Sequence, residues 1–148
     1  MKLANVERAG TRAAPYILSM LRIVAALLFL SYGTAKFFGF PGPGPKLTPL
    51  LTVAGVFELV GGTLLVIGLF SRPVAFVLSG MMAVGYFVEH LPRGFFPTVN
   101  RGSEAIMFCF IFLYVAAAGP GPWSLDAWRG PAWRGPAWRK WLASLTGR

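Results

Sequence analysis

Four long apolar stretches constrain the fold of this chain more than any other feature. They cover residues 16–38, 47–70, 73–91 and 102–118. A helix needs about 20 mostly apolar residues to cross the hydrocarbon core of a bilayer. Apolar residues make up 55% of the 148 residues and charged residues only 13%, whereas a typical soluble domain has roughly 25% charged residues. A soluble protein of this size cannot bury so many apolar side chains, so the sequence predicts an integral membrane protein.

Short connections rich in Pro and Gly predict how the four spans are arranged. Residues 41–45 read PGPGP, residues 119–122 read GPGP, and Ser71-Arg72 leave only a tight turn between the second and third spans. Tight connections make consecutive helices antiparallel neighbours. The predicted fold is therefore all-α: an antiparallel four-helix membrane bundle over residues 1–126, followed by a tail over residues 127–148. Small residues on the second and third spans predict close helix packing in lipid: Gly55, Gly61, Gly62, Gly68, Ser79, Gly80 and Gly85.

Basic residues predict the orientation of the bundle. Cytoplasmic loops of membrane proteins carry an excess of Lys and Arg. More basic residues lie on the side of the N-terminus, in the first segment, at Arg72 and in the tail, than in the opposite loops at 39–46 and 92–101. Both termini are therefore expected in the cytoplasm. The first span has the basic start of a signal peptide but exceeds its length, so it is expected to be retained.

Two ionisable residues lie well inside the predicted spans and away from their ends, where a charge costs several kcal/mol unless it is partnered. Glu58 lies near the middle of the second span, and Arg22 lies in the first. One interpretation is a structural ion pair between Arg22 and Glu58 that joins the two helices, because buried pairs often fix helix register. The pair could instead border a ligand or proton path, or a neutral Glu58 could bond Ser, Thr or backbone groups. The residues alone leave these alternatives open.

A second group of ionisable residues is predicted near the outer leaflet. Its members are Lys36, Glu89, His90, Arg93 and Glu104. Lys36 and Arg93 could neutralise the carboxylates, but so many charges at one end of a bundle also suit a polar head group. Together with Glu58, these residues are the ligand-binding candidates, with His90 as the proton-exchanging member and Lys36 and Arg93 holding a carbonyl or anionic oxygen. A mixed metal site of Glu89, His90 and Glu104 fits no metal-binding spacing, so no metal is expected.

The tail repeats AWRGP at 127–131 and 132–136 and then reads AWRKW. Trp and Arg suit the cytoplasmic membrane interface, and residues 138–145 show the pattern of a short surface helix; a frayed basic tail is the alternative. The net charge of +9 does not indicate nucleic-acid binding, because the aromatic residues lie mostly inside the apolar stretches and the basic residues outside them.

Several segments, taken in order, resemble a known family. They are residues 22–39, 55–62, 68–72 and 86–97, then Asn100, Gly102 and Glu104, and finally residues 119–126. This order is similar to that of the DoxX family of small four-span bacterial membrane proteins, over about residues 16–126. The resemblance implies a multi-pass protein of the bacterial plasma membrane. Members are linked to a terminal quinol oxidase and to thiosulfate:quinone oxidoreduction, and many have no established activity, so the family fixes the fold better than the reaction.

The resemblance leaves two functions to compare. The chain offers one His, one Cys and neither a flavin nor a nucleotide motif, so no intrinsic cofactor is expected. A redox role therefore needs a bound quinone, partner redox subunits, or both. The first hypothesis is a quinone-interacting or accessory subunit of a membrane oxidoreductase. The second is a non-catalytic scaffold, or a protein that binds lipid or another small molecule, and homo-oligomers are compatible with either. No catalytic residue is assigned.

Overall fold

All regular secondary structure between Lys2 and Arg129 is helical. The computed structural model describes residues 2–129, and side chains from residue 10 onward. The α-helices are α1 (Lys2–Phe38), α2 (Pro49–Ile67), α3 (Ser71–Gly85), α4 (Pro97–Asn100), α5 (Ser103–Ala118) and α6 (Leu125–Trp128). A π-helical turn (Tyr86–His90) and a 3-10 turn (Leu91–Arg93) continue α3. The prediction of an all-α membrane bundle is confirmed. Most of the AWRGP tail lies outside the described residues, and its predicted surface helix remains a prediction.

Three helical segments within residues 2–129 are long and apolar enough to cross a membrane. They are Gly10–Phe38, Pro49–Ile67 and Ser71–Arg93, and α5 is a shorter apolar helix. Their bounds follow from local chemistry. Thr48 caps α2 by accepting a hydrogen bond from the Leu51 amide at 3.3 Å, and Pro49 suits the first helical turn. Gly68 ends α2 in the left-handed conformation, at a φ of 71°, which favours glycine.

The bundle consists of two closely packed helix pairs, α1 with α2 and α3 with α5. Their shared core contains Phe29, Leu65, Leu78, Phe112 and Val115. Contacts between α1 and α5 are much less extensive. Large apolar side chains cover the outside of the bundle, as expected for helices surrounded by lipid.

Glycines set how closely α1 and α2 approach. A Cβ atom on Gly33 would lie 3.0 Å from the Glu58 Cβ and from the Leu59 amide nitrogen, and a Cβ on Gly62 would lie 3.1 Å from the Leu30 Cβ. Larger residues at either position would push the helices apart. Gly80 and Gly85, by contrast, have no neighbour within 4 Å of such an atom, so only some of the predicted small residues mediate close packing.

Candidate functional site

A buried ion pair between α1 and α2 is the centre of the candidate site. The Lys36 ammonium donates a hydrogen bond to Oε1 of Glu58. The two side chains are only 10% and 8% exposed. The other carboxylate oxygen, Oε2 of Glu58, is buried and accepts no hydrogen bond within the described part of the chain. Because a buried polar atom normally has a partner, this oxygen marks a place where a ligand could donate a hydrogen bond.

A cavity of about 220 Å³ lies beside this carboxylate. We call it the polar cavity. Its apolar wall residues are Phe29, Met82, Ala105 and Phe108, and its polar ones are Tyr32, Glu58, His90, Arg101 and Glu104. The cavity therefore combines flat apolar surfaces with groups that donate, accept or exchange protons, as small-molecule sites commonly do.

Tyr32 and Glu104 connect α1 to α5 at one side of the polar cavity. The Tyr32 hydroxyl donates a hydrogen bond to Oε2 of Glu104 at 2.5 Å. Such a bond is strong when the acceptor is an ionised carboxylate. Both side chains are also exposed on the outside of the bundle, so this hydrogen bond lies between the cavity and the surroundings.

His90 is held in a defined orientation. It ends the π-helical turn, a form of helix that is frequent at functional sites. Its Nδ1 lies 3.1 Å from the Asn100 carbonyl oxygen. The buried Asn100 side chain is fixed in turn by hydrogen bonds with Gly94 and Gly102. Because a carbonyl oxygen only accepts, Nδ1 carries the hydrogen, and Nε2 of the neutral ring can accept a proton.

An apolar groove on the outside of the bundle adjoins the polar cavity. This groove, the lipid-facing groove, has a volume of about 450 Å³ and lies between α1 and α5. Its walls are Leu21, Val24, Ala25, Leu28, Ser103, Met107 and Ile111, together with Tyr32, Glu104 and Phe108. The last three residues also line the polar cavity.

The predicted Arg22–Glu58 pair is wrong. Arg22 is completely buried, and its guanidinium donates to the backbone carbonyls of Leu65, Val66, Pro120 and Trp123. The last carbonyls of an α-helix lack intrahelical partners, and those of α2 bind Arg22. Glu58 lies seven residues earlier on α2, about 10 Å along the axis at 1.5 Å per residue, where Lys36 is its partner. The alternative of a Glu58 bonded only to Ser, Thr or backbone is overturned by the same ion pair.

The predicted outer group of five residues is divided in two. Glu89 pairs with Arg93 at 3.3 Å, on side chains that are 41% and 58% exposed, and neither residue lines the polar cavity. His90 and Glu104 do line it, and Lys36 lies behind Glu58. Arg93 therefore neutralises Glu89 as expected, whereas Lys36 pairs with Glu58 and neutralises neither Glu89 nor Glu104. Among the described residues, no three His, Cys, Asp or Glu side chains are close enough to hold a metal ion.

Sequence reasoning missed two polar residues of the cavity, Tyr32 and Arg101. Tyr32 is four residues before Lys36 on α1, and this spacing places both on one helix face. The pattern could therefore have indicated Tyr32. Arg101 follows α4 in the left-handed conformation, at a φ of 61°, and the sequence indicated only that it is a loop charge.

A second cavity of about 460 Å³ lies between α1, the start of α3 and the segment that follows α5. Two charged residues line it, Arg72 and Asp126. Arg72 donates to the carbonyls of Ala116, Ala117 and Ala118 at the end of α5. Asp126 accepts from the Phe70 and Ser71 amides at 2.9 and 2.8 Å, at the start of α3. These charges cap helix ends, so we place the candidate site in the smaller polar cavity.

Comparisons with known proteins agree with this architecture. The sequence profile of the DoxX family matches residues 17–91. A Haemophilus influenzae protein described as uncharacterized is 47% identical over 120 residues, covering 76% of this chain and 90% of that protein. Escherichia coli inner membrane protein YphA is 30% identical over 129 residues, which cover 77% of this chain and 91% of that protein. Mycobacterium tuberculosis membrane protein Rv3486 is 29% identical over 126 residues, which cover 72% of this chain and 77% of that protein. No solved structure shows a significant match to the chain.

Proposed function

Because the chain belongs to the DoxX family of membrane proteins, we propose that it binds the head group of a membrane quinone in the polar cavity. In this proposal it is a quinone-interacting or accessory subunit of a membrane oxidoreductase system in the bacterial inner membrane. The name of YphA supports that location. The observation that carries the proposal is the buried Glu58 Oε2, which lacks a partner among the described residues and belongs to a cavity-lining carboxylate. A hydroxyl of the reduced head group, the quinol, can donate to this oxygen.

The size of the polar cavity supports a ring-sized head group. Sites for drug-sized ligands have volumes of roughly 300–1,000 Å³, and the polar cavity has about 220 Å³. This is room for about seven water molecules, at roughly 30 Å³ each. Aromatic rings at Phe29 and Phe108 offer apolar surfaces for a flat ring, and the polar residues offer partners for its oxygens.

Three of the polar wall residues, Glu58, His90 and Arg101, have a defined chemical role in the proposal. A bound quinone supplies the capacity to take up two electrons and two protons. Glu58 accepts a hydrogen bond through Oε2 from a hydroxyl of the reduced head group, the quinol, because the carbonyl oxygens of the oxidised quinone cannot donate one. Lys36 stabilises the negative charge of Glu58 through Oε1. His90 exchanges a proton through Nε2, since Nδ1 is engaged with Asn100. Arg101 replaces Arg93 as the cation for a carbonyl oxygen, because Arg93 pairs with Glu89 away from the cavity. Electrons come from a partner subunit.

A second candidate function is a non-catalytic scaffold, or a protein that binds other lipids. Arg22 favours it, because this completely buried cation binds only backbone carbonyls and joins α1 to the end of α2 and to residues 120–123. A charge used in this way stabilises the fold without chemistry. The two candidates differ in whether the polar cavity holds a quinone.

A pair of matched substitutions tests the proposal. Glu58→Gln and Glu89→Gln make the same chemical change, one beside the polar cavity and one outside it. Binding of a decyl-tailed ubiquinol, kept reduced under anaerobic conditions, to the purified protein is measured by calorimetry, and co-purified quinones by mass spectrometry. Glu58→Gln should weaken binding by about tenfold or more, since hydrogen bonds to charged groups contribute about 1.5–3 kcal/mol. Glu89→Gln should leave binding unchanged. Equal losses in both variants, or no quinone bound by the unmodified protein, would contradict the proposal.

A further inference from the structure

A quinone that places its head group in the polar cavity also needs a path for its isoprenoid tail. We propose that the cavity opens sideways to the lipid between α1 and α5. In this arrangement the tail lies in the lipid-facing groove, and the Tyr32–Glu104 hydrogen bond closes the entrance. This inference rests on the proposed function for the identity of the head group and adds its route of entry.

Shared wall residues connect the groove to the cavity. Tyr32, Glu104 and Phe108 line both spaces. A second apolar groove of about 330 Å³ lies between α2 and α3, and it shares no wall residue with the polar cavity. The α1–α5 groove is therefore the one that a tail can occupy while its head group remains beside Glu58.

Helix packing also favours entry of the ligand between α1 and α5. The contacts between α1 and α5 are far less extensive than those between α1 and α2 or between α3 and α5. In lipid, helices associate mainly through packing contacts and interhelical hydrogen bonds. A small separation of α1 from α5 therefore breaks fewer contacts than a separation within either closely packed pair.

The Tyr32–Glu104 hydrogen bond has the chemistry of a reversible closure. The hydroxyl donates to the carboxylate at 2.5 Å, and Tyr32 is 40% exposed at the outer surface. A quinone carbonyl oxygen arriving from the groove is itself an acceptor, so it can take the hydroxyl hydrogen in place of Glu104. The Tyr32 hydroxyl thereby exchanges one acceptor for another as the head group enters and is not left without a partner, while the exposed Glu104 carboxylate is released.

The route is tested by comparing ligands with and without a tail. Val24 lies in the α1–α5 groove and Val77 in the α2–α3 groove, and they are similarly exposed, at 54% and 49%. Val24→Trp should weaken binding of a decyl-tailed ubiquinone by about tenfold, because overfilling a packed site costs about 1–3 kcal/mol. Binding of the same ring without a tail should not change. Val77→Trp should affect neither ligand, and Met107→Trp, on the α5 wall, should repeat the effect of Val24→Trp.

The outcomes separate the route from the function. If the unmodified protein binds neither ligand, the proposed function fails, and the route with it. Suppose that the unmodified protein binds both ligands. The route alone is then wrong if Val24→Trp and Met107→Trp leave binding of the tailed ligand unchanged, or if they weaken binding of the tailless ligand as much as that of the tailed one. Tyr32→Phe should raise the association rate of the tailed ligand by about tenfold, since it removes a hydrogen bond to a charged group. An unchanged or lower rate would overturn the closure.

Discussion

Replacing Lys36 with Met should strongly destabilise the bundle. The substitution removes the only hydrogen-bond partner of Glu58 among the described residues and leaves a carboxylate that is 8% exposed between α1 and α2. Breaking a buried ion pair by removing one partner costs about 3–5 kcal/mol. Since native proteins are stable by only about 5–15 kcal/mol, we expect a large loss of folded protein.

The double substitution Lys36→Met with Glu58→Leu should restore most of this stability. Buried ion pairs replaced by apolar residues of similar volume are often as stable as the original. A double-mutant cycle should therefore give a coupling energy of about 2 kcal/mol or more, at the upper end of the range for residues in contact. Quinone binding should stay weak in the double variant even though its stability is restored, because this protein still lacks the Glu58 carboxylate beside the cavity.

The assay is the unfolding midpoint of the protein in detergent, read from the fraction that remains monodisperse after heating. One kcal/mol shifts the midpoint by about 2–8 °C, depending on chain length, so Lys36→Met should lower it by about 10 °C or more. The control combines Arg22→Met with Glu58→Leu, whose effects should add because Arg22 contacts backbone carbonyls instead of Glu58. Our assignment of the pair would be refuted if Arg22→Met, and not Lys36→Met, were rescued by Glu58→Leu.

Two further predictions concern Arg22 and the topology of the chain. Arg22→Met should lower the midpoint far more than Arg12→Met, which changes an exposed arginine of the same helix. Each buried acceptor left without a partner costs about 1–3 kcal/mol, and equal losses in the two variants would contradict this role of Arg22. A cysteine at Thr98, in a Cys109→Ser background, should react with a membrane-impermeant reagent in intact cells, and one at Ser144 should not, because basic residues favour cytoplasmic termini. Labelling at Ser144 would reverse the orientation.

The existence of the helices was predictable from the sequence, but some of their bounds were not. Runs of about 20 apolar residues indicate spans directly. The second predicted span covered residues 47–70, whereas α2 is Pro49–Ile67, because Thr48 and Gly68 end it at specific residues through capping. The first predicted span began at residue 16, whereas α1 begins at Lys2. Its first turns are too polar to be recognised by apolar content.

The partner of Glu58 was not predictable, because sequence periodicity does not fix how far one helix slides along another. Arg22 and Lys36 are both cations of α1, and depth in the membrane favoured Arg22. In the structure Gly33 lies against Glu58, and Leu30 lies against Gly62. Continuing this antiparallel register places Arg22 beside the last turn of α2 and Lys36 near Glu58. Close glycine contacts thus decide the pairing, and they become visible only once the helices are packed.

The same register explains why the candidate site lies in the half of the bundle that contains the C-terminal end of α1. At the opposite end, Arg22, Arg72 and Asp126 bind backbone groups at helix ends and in the segment after α5. Two buried atoms there, the Ser71 hydroxyl oxygen and the Arg72 Nε, also lack partners within residues 10–129, but neither belongs to a carboxylate. Glu58 differs because an ionised carboxylate shares its charge between two oxygens, and Lys36 satisfies only one. A buried, partly charged acceptor is costly to leave without a partner, and this makes the polar cavity, despite its smaller volume, the place where a hydrogen-bonding ligand gains most.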